Sequence, residues 1–402
     1  MNTRNNYGGP KRSFAHGSRS SGSRPASRSR NAPGAQYINP ARFVNKVIVT
    51  EEVEVFTPEH SFQDFHIDER LKAVIAKKGY VTPTPIQDKA IPHVLMGSDV
   101  VGIANTGTGK TAAFLLPLIH KVLGNPKMQV MIVAPTRELA VQIDAELKTF
   151  TPGMKIFSVC GVGGANIVPQ MRALRYHNNF VIGTPGRLKD LIDRRLIDLS
   201  KFTAVVLDEA DRMLDMGFIN DMKALMAGMP KERQTLFFSA TLSPDIEKLI
   251  GQFLRTPVRV SVKTRDTSKT IDQDVIKVPG GVDKLAILQD LLKKEGFDKI
   301  LIFGRTKHGV DRLSRELAAR GFKAESIHGD KNYSRRIKAL QLFKDNHIQI
   351  LVATDVAARG LDIPNVSHVI NFDTPATYED YVHRIGRTGR GGKQGKALTF
   401  VS

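Results

Sequence analysis

The sequence predicts an α/β protein of two tandem domains, each a mainly parallel sheet with helices on both faces, behind a disordered basic tail. Three observations predict it. The 402 residues exceed what one core usually serves, and 41% of them are hydrophobic, enough to build two. Short apolar runs recur, each ending in a Gly- or acid-containing turn and leading into a helical stretch. That alternation gives parallel sheets whose ligand groups collect at the carboxyl ends of the strands. Residues 1–48 break the pattern: they are rich in Ser, Arg, Gly, Asn and Pro, with too little apolar surface to offset the entropy of ordering.

The tail carries Lys11, Lys46 and seven arginines without one acid, so nearly half of the formal net charge of +19 sits on it. It reads as an arm tethering nucleic acid, the alternative being a solubilising tail. A pI near 9.9 asks for a polyanionic partner, nucleic acid rather than a membrane surface. Apolar stretches such as "AAFLLPLI" fall far short of the roughly 20 residues of a spanning helix, and no signal segment opens the chain. Cys160, the only cysteine, excludes an internal disulfide and a thiolate-rich zinc site and fits a reducing compartment. Following the strand-like "KIFSV", it reads as a small buried apolar residue. The eleven histidines show no metal-ligand spacing.

Taken in order, "DVVGIA", "QVMIVAP", "FVIGTPG", "AVVLDEAD" and "TLFFSAT" are strands of a first domain, residues 49–261. The polar segment 262–273, "VKTRDTSKTIDQ", is a linker. "KILIFGRT", "AESIHGD", "QILVATD" and "HVINFDTP" are strands of a second domain, residues 274–402.

In the first domain, "ANTGTGKT" (Ala104, Asn105, Thr106, Gly107, Thr108, Gly109, Lys110 and Thr111) lies between a strand and an apolar helix. Glycines let backbone amides turn inward around phosphate oxygens, and the helix N-terminus adds positive potential. Lys110 neutralises the outer phosphates, and the Thr111 hydroxyl can bind magnesium. The strict phosphate-loop pattern has glycine where this chain has Ala104. The run "AVVLDEADRML" then places Asp208, Glu209 and Asp211 at a strand end. A magnesium nucleotide needs a carboxylate that holds the metal through its water shell and a base that orients the attacking water, roles that suit Asp208 and Glu209. Asp211 either binds neighbouring side chains or is a solvated helix start.

The tetrad at residues 208–211, together with "ANTGTGKT" and the motifs below, resembles the DEAD-box RNA helicases from about residue 62 to residue 402. Order and spacing carry the resemblance. It implies two tandem RecA-like domains, ATP and Mg2+ as cofactors, and RNA as partner. In "GYVTPTPIQ", Gln87 would read the adenine edge and Tyr80 lie against the ring, with Phe62 completing the element. On the first domain Pro135, Thr136 and Arg137 of "PTRELA", the pair Gly163 and Gly164, and Thr184, Pro185, Gly186 and Arg187 of "TPGR" would contact the RNA backbone. Ser239 and Thr241 of "SAT" would link hydrolysis to strand separation. On the second domain Gly329, Arg336 and Thr354 would bind RNA, Gly360 the nucleotide and Asp362 its ribose. Arg387 and Arg390 of "HRIGRTGR" would contact the transferring phosphate, and arginines there can act only when the domains close. His383 either bridges the domains or packs locally.

Two further positions depart from the family. Tyr333 replaces the glutamine of H-G-D-x-x-Q-x-x-R, and Asn105 replaces a more usual glutamine. The expected activity is RNA-stimulated ATP hydrolysis that clamps and locally opens short duplexes or remodels RNA–protein complexes. It would belong to a cytoplasmic monomer, in ribosomal or RNA-decay assemblies. A translocating DNA helicase and an RNA-annealing scaffold are the alternatives, and intact Lys110, Glu209 and the two arginines argue against the scaffold.

Overall fold

The computed structural model describes residues 39–44, 56–105, 107–262, 271–358, 363–389 and 395–401. The first lobe opens with α1 (Glu69–Lys77), α2 (Pro85–Leu95), β1 (Val100–Ile103), α3 (Lys110–Gly124), β2 (Gln129–Val133), α4 (Arg137–Phe150) and β3 (Ser158–Gly161). It continues with α5 (Ile167–Ala173), β4 (Phe180–Gly183), α6 (Pro185–Asp193), β5 (Phe202–Leu207), α7 (Ala210–Asp215), α8 (Ile219–Gly228), β6 (Gln234–Ser239), α9 (Pro244–Phe253) and β7 (Val258–Ser261). The second lobe runs β8 (Ile271–Lys277), α10 (Lys284–Leu292), β9 (Ile300–Phe303), α11 (Lys307–Ala319), β10 (Ala324–Ile327), α12 (Tyr333–Lys344) and β11 (Ile350–Ala353). It closes with α13 (Asp355–Ala358), β12 (His368–Asn371), α14 (Tyr378–Ile385) and β13 (Gly395–Val401).

Strand orders are β3-β4-β2-β5-β6-β1-β7 and β10-β11-β9-β12-β13-β8, and every ladder is parallel. Successive apolar residues serve opposite faces: Met131 and Phe237 join the core under α6, α8 and α9, while Ile132 and Phe238 join the one under α2, α3 and α4. Burial on both faces explains why the central strands read as unbroken apolar runs.

The sheet ladders run one residue past the strands and so align the loops on one rim. Ala104 N donates to Ser239 O (3.0 Å), Asp208 N to Val133 O (3.0 Å), Ala134 N to Gly183 O (2.9 Å) and Thr184 N to Gly161 O (3.1 Å). In the second lobe Thr354 N donates to Ile327 O at 3.3 Å and Gly304 N to Ala353 O at 3.0 Å. Among the described residues no helix is long and apolar enough to cross a membrane.

Two stretches differ from expectation. Within the segment read as a disordered tail, Pro40–Phe43 form a 3-10 turn and Phe43 is fully buried on the second lobe. Asn39 caps the turn and Pro40 presets its backbone, so one aromatic with a seat outweighs the polar average around it. Residues 1–38 and 45–48 of that segment lie outside the described residues. β8 also begins at Ile271, inside the segment read as a linker. Ile271 is buried, and the polar Gln273 is tolerated there because its Oε1 accepts from the Tyr381 hydroxyl at 2.7 Å.

Candidate active site

The loop between β1 and α3 turns through left-handed backbone at Gly107 (φ 82°) and Gly109 (φ 91°). Lys110 is buried and its Nζ donates to Ala104 O at 2.8 Å, while Thr108 Oγ1 donates to Asn105 O at 2.8 Å. Thr111 stands half-buried on the first turn of α3. Gln87, on the first turn of α2, accepts from Thr84 N (2.9 Å) and donates through Nε2 to Gly109 O (3.1 Å). A Cβ at Gly109 would run into that amide. The glutamine expected at the base edge is thereby fastened to the phosphate loop. Phe62 is a core residue, 2% exposed, whose ring meets Tyr80 edge-on at 6.0 Å. It packs against Tyr80, the other aromatic of the segment assigned to the adenine. Thr106 lies outside the described residues.

At the end of β5 the chain turns sharply, with Glu209 in left-handed backbone (φ 50°, ψ 52°) as the N-cap of α7. Asp208 is buried and accepts from Glu209 N at 3.0 Å. Burial raises its carboxyl to about 7, against the pull of the Lys110 charge. Glu209 is ion-paired at 3.3 Å with Arg212, and Arg212 Nη2 donates to Val356 O of the second lobe at 2.7 Å. Asp211 resolves toward its neighbours: Oδ2 accepts from Ala240 N (3.0 Å), Thr241 N (3.0 Å) and Thr241 Oγ1 (3.2 Å). Ser239 Oγ closes the same turn on Thr241 O at 2.9 Å. Among the described residues no three His, Cys, Asp or Glu side chains gather to hold a metal alone. The buried Asp208 carboxylate and the Thr111 hydroxyl still fit magnesium, which takes one or two protein oxygens and completes its shell with water and phosphate. Between the lobes lies a cleft of about 340 Å³ lined by Asp211, Thr241, Asp380 and His383, among others.

Along the rim, Thr136 Oγ1 caps α4 by accepting from Leu139 N at 3.3 Å, next to the buried Pro135. Arg137 lies under the glycine pair: Gly164 has φ 72°, and a Cβ there would collide with the guanidinium. Gly163 is less crowded. Thr184 and Pro185 start α6, Gly186 faces open space, and Arg187 donates to Gln170 Oε1 at 2.9 Å. Gly329 likewise has open space where a side chain would stand, and Thr354 precedes α13. Arg336 is buried and ion-paired at 2.7 Å with Glu138 of the first lobe, which sets it between the lobes. Tyr333, one turn earlier on α12, packs half-buried against the first lobe's core, an apolar contact where the family's glutamine would be polar.

Arg387 is buried, its Nε donating to His383 O at 3.4 Å. Gly360, Asp362 and Arg390 lie outside the described residues. Three residues went unassigned in the sequence: Arg212, Glu138, and Arg384, whose two-pronged pair with Asp355 spans 2.5 and 2.8 Å. The i,i+3 spacing of Glu209 and Arg212 was a usable signal. Glu138 and Arg384 had none outside the fold.

The profile of the DEAD/DEAH box helicase family matches residues 84–249, and that of the helicase conserved C-terminal domain matches residues 283–392. ATP-dependent RNA helicase CshA of Listeria monocytogenes is 46% identical over 342 residues, covering 85% of this chain and 66% of the relative. DEAD-box ATP-dependent RNA helicase CshA of Bacillus subtilis is 46% identical over 344 residues, with 85% and 69% covered. This chain thus spans about two thirds of the length of these relatives. Among solved structures, S. cerevisiae Dbp5 bound to RNA and ADP BeF3 superposes with a TM-score of 0.76 at 30% identity, over 85% of this chain and 89% of that one. With the phosphate loop, the acidic strand end and the rim motifs on one edge of paired parallel sheets, the chain belongs to the DEAD-box family of ATP-dependent RNA helicases.

Proposed function

We propose that the protein is an RNA-stimulated ATPase that clamps RNA across the cleft between its lobes and locally opens short duplexes or remodels RNA–protein complexes. It would act as a cytoplasmic monomer, in ribosomal or RNA-decay assemblies. One observation carries this reading: the acidic strand end is wired in two directions. Asp211 holds the turn at Ala240 and Thr241, while Arg212 joins Glu209 to the Val356 carbonyl of the second lobe. A rearrangement at the carboxylates is therefore felt both by the SAT turn and by the lobe contact.

In this reading the N-terminal amides of α3 and the Lys110 ammonium bind the ATP phosphates. Gln87 reads the adenine edge while its bond to Gly109 O keeps the loop in register. Thr111 and Asp208 would hold a magnesium ion, which when bound neutralises phosphate charge. Glu209 orients the attacking water, and Arg387 with Arg390 stabilises the developing charge once the lobes are closed. Arg137, the glycine pair and the start of α6 meet the RNA backbone. The names of the CshA relatives and the RNA held by Dbp5 support the choice of RNA over DNA.

Glu209→Gln should lower turnover by roughly a hundredfold to ten-thousandfold, the usual worth of a positioned base, while ATP-dependent RNA binding persists. Phosphate release with saturating single-stranded RNA checks the first half and filter binding with a non-hydrolysable analogue the second. Turnover at the wild-type rate would refute the assignment of Glu209. Equal stimulation of the wild-type ATPase by DNA would overturn the choice of RNA as the partner that drives hydrolysis.

A further inference from the structure

The eight residues of α14 present two faces. Tyr378, Tyr381, Val382 and Ile385 recur at helical spacing and turn inward, while Glu379, Asp380 and His383 line the interlobe cleft. The inward face is not covered by the second lobe alone. Phe43 is fully buried in the same cluster, together with Ile271 of β8 and Ala397 of β13. Its ring centroid lies 4.7 Å from that of Tyr381, tilted by 53°, and the Arg42 guanidinium sits 3.9 Å above the Tyr378 ring. The segment enters as a formed turn, with Asn39 Oδ1 accepting from Ala41 N at 3.0 Å.

A helix of two turns has little stability of its own and depends on the face it packs. Beneath α14 that packing is an aromatic pair, one member of which comes from a segment preceding the entire first lobe. The Tyr381 ring that Phe43 packs against also carries the buried bond from its hydroxyl to Gln273. The same helix ends at Gly386 and Arg387, and the Arg387 guanidinium is braced on the carbonyl of His383. Whatever tilts α14 therefore moves His383, which lines the cleft, together with Arg387, which is braced on it.

We propose that the groove between β8 and α14 is an interaction surface for residues 39–44 of this same chain, and that Phe43, through α14, is a positioning residue for hydrolysis. The second part rests on the proposed function. Phe43 touches no reacting group; it fixes the helix that presents His383 and Arg387. The short turn and its cation over Tyr378 fit the groove, and among the described residues the cluster that seats Phe43 is drawn from the second lobe. An effect of Phe43 on the reaction must accordingly enter from the second-lobe side of the cleft.

The test uses full-length Phe43→Ala and Phe43→Leu. With saturating RNA, Phe43→Ala should lower kcat by roughly tenfold or more, the order expected when a reacting group is held loosely. KM for ATP should stay within about twofold, because Lys110 and Gln87 belong to the first lobe. Phe43→Leu, which refills the seat, should recover most of kcat. Amide hydrogen exchange should quicken over residues 378–388 in Phe43→Ala and stay unchanged over residues 104–116. An unchanged kcat in Phe43→Ala would overturn the positioning role. So would equal acceleration of exchange in both lobes, which marks general unfolding. If wild-type protein shows no RNA-stimulated hydrolysis, the functional reading fails by itself. Exchange over residues 378–388 then decides whether residues 39–44 occupy the groove: acceleration in Phe43→Ala upholds the seat, and identical exchange removes it.

Discussion

His368, on β12, stacks on Phe297 with ring centroids 3.8 Å apart and is 5% exposed. Burial first, and the Lys396 charge second, lower its pKa from 6.5 to about 4. The folded lobe thus prefers neutral imidazole, whereas the unfolded chain takes up a proton near pH 6.5. Stability from this residue is fully present above that pH and is lost as pH falls toward 4, by at most about 3 kcal/mol. Denaturant titrations at pH 7 and pH 5 should show the loss, and His368→Phe, keeping the stack without the titration, should flatten it. A wild-type midpoint equal at both pH values would contradict the argument. Single residues also show what a motif alone leaves out. Gly164 was named by resemblance as an RNA contact, and the fold adds a separate reason for glycine there, since left-handed backbone and the Arg137 guanidinium leave no room for a side chain.

Helix α7 has only six residues, yet its Asp211 accepts three hydrogen bonds from the turn after β6. Asp211→Ala would leave the Ala240 and Thr241 amides without their acceptor, at about 1–3 kcal/mol. The expected outcome is a lower midpoint of first-lobe unfolding and fewer duplexes opened per ATP hydrolysed, with nucleotide affinity nearly unchanged. Paired unwinding and phosphate-release assays check the ratio, and a ratio equal to the wild type would mean that the clasp does not couple. Most central strands were legible because burial on both faces makes them continuous apolar runs, as in "AVVL" and "ILIF", whereas β13, broken by the exposed Lys396, was not. The edge strands β7 and β8 were not either. In β7, "VRVS", Arg259 leaves the sheet to pair with Glu247 at 2.6 Å, and β8, "IDQDVIK", alternates polar and apolar residues like a linker.

Across the whole molecule, contacts between lobes were the least legible features, since partners such as Arg212 and Val356 stand 144 positions apart. Buried Arg336 and Glu138 form one such contact, and removing one partner of a buried pair typically costs about 3–5 kcal/mol. Arg336→Ala should therefore weaken RNA binding in the presence of an ATP analogue by more than about tenfold while leaving nucleotide binding without RNA intact. Fluorescence titrations with and without RNA check it, and equal losses in both would locate the effect within one lobe. The seat of Phe43 adds a constraint of a different kind, on the order in which the protein can be made. Phe43 leaves the ribosome roughly 340 to 350 residues before Tyr381 and Ala397, on the order of half a minute at ordinary elongation rates. β1 likewise waits for both of its neighbours, β6 and β7. During synthesis the phosphate loop therefore acquires its sheet late in the emergence of the first lobe. Phe43 has no seat until α14 and β13 arrive, so the earliest described segment docks only after the whole first lobe and the inner strands of the second have emerged.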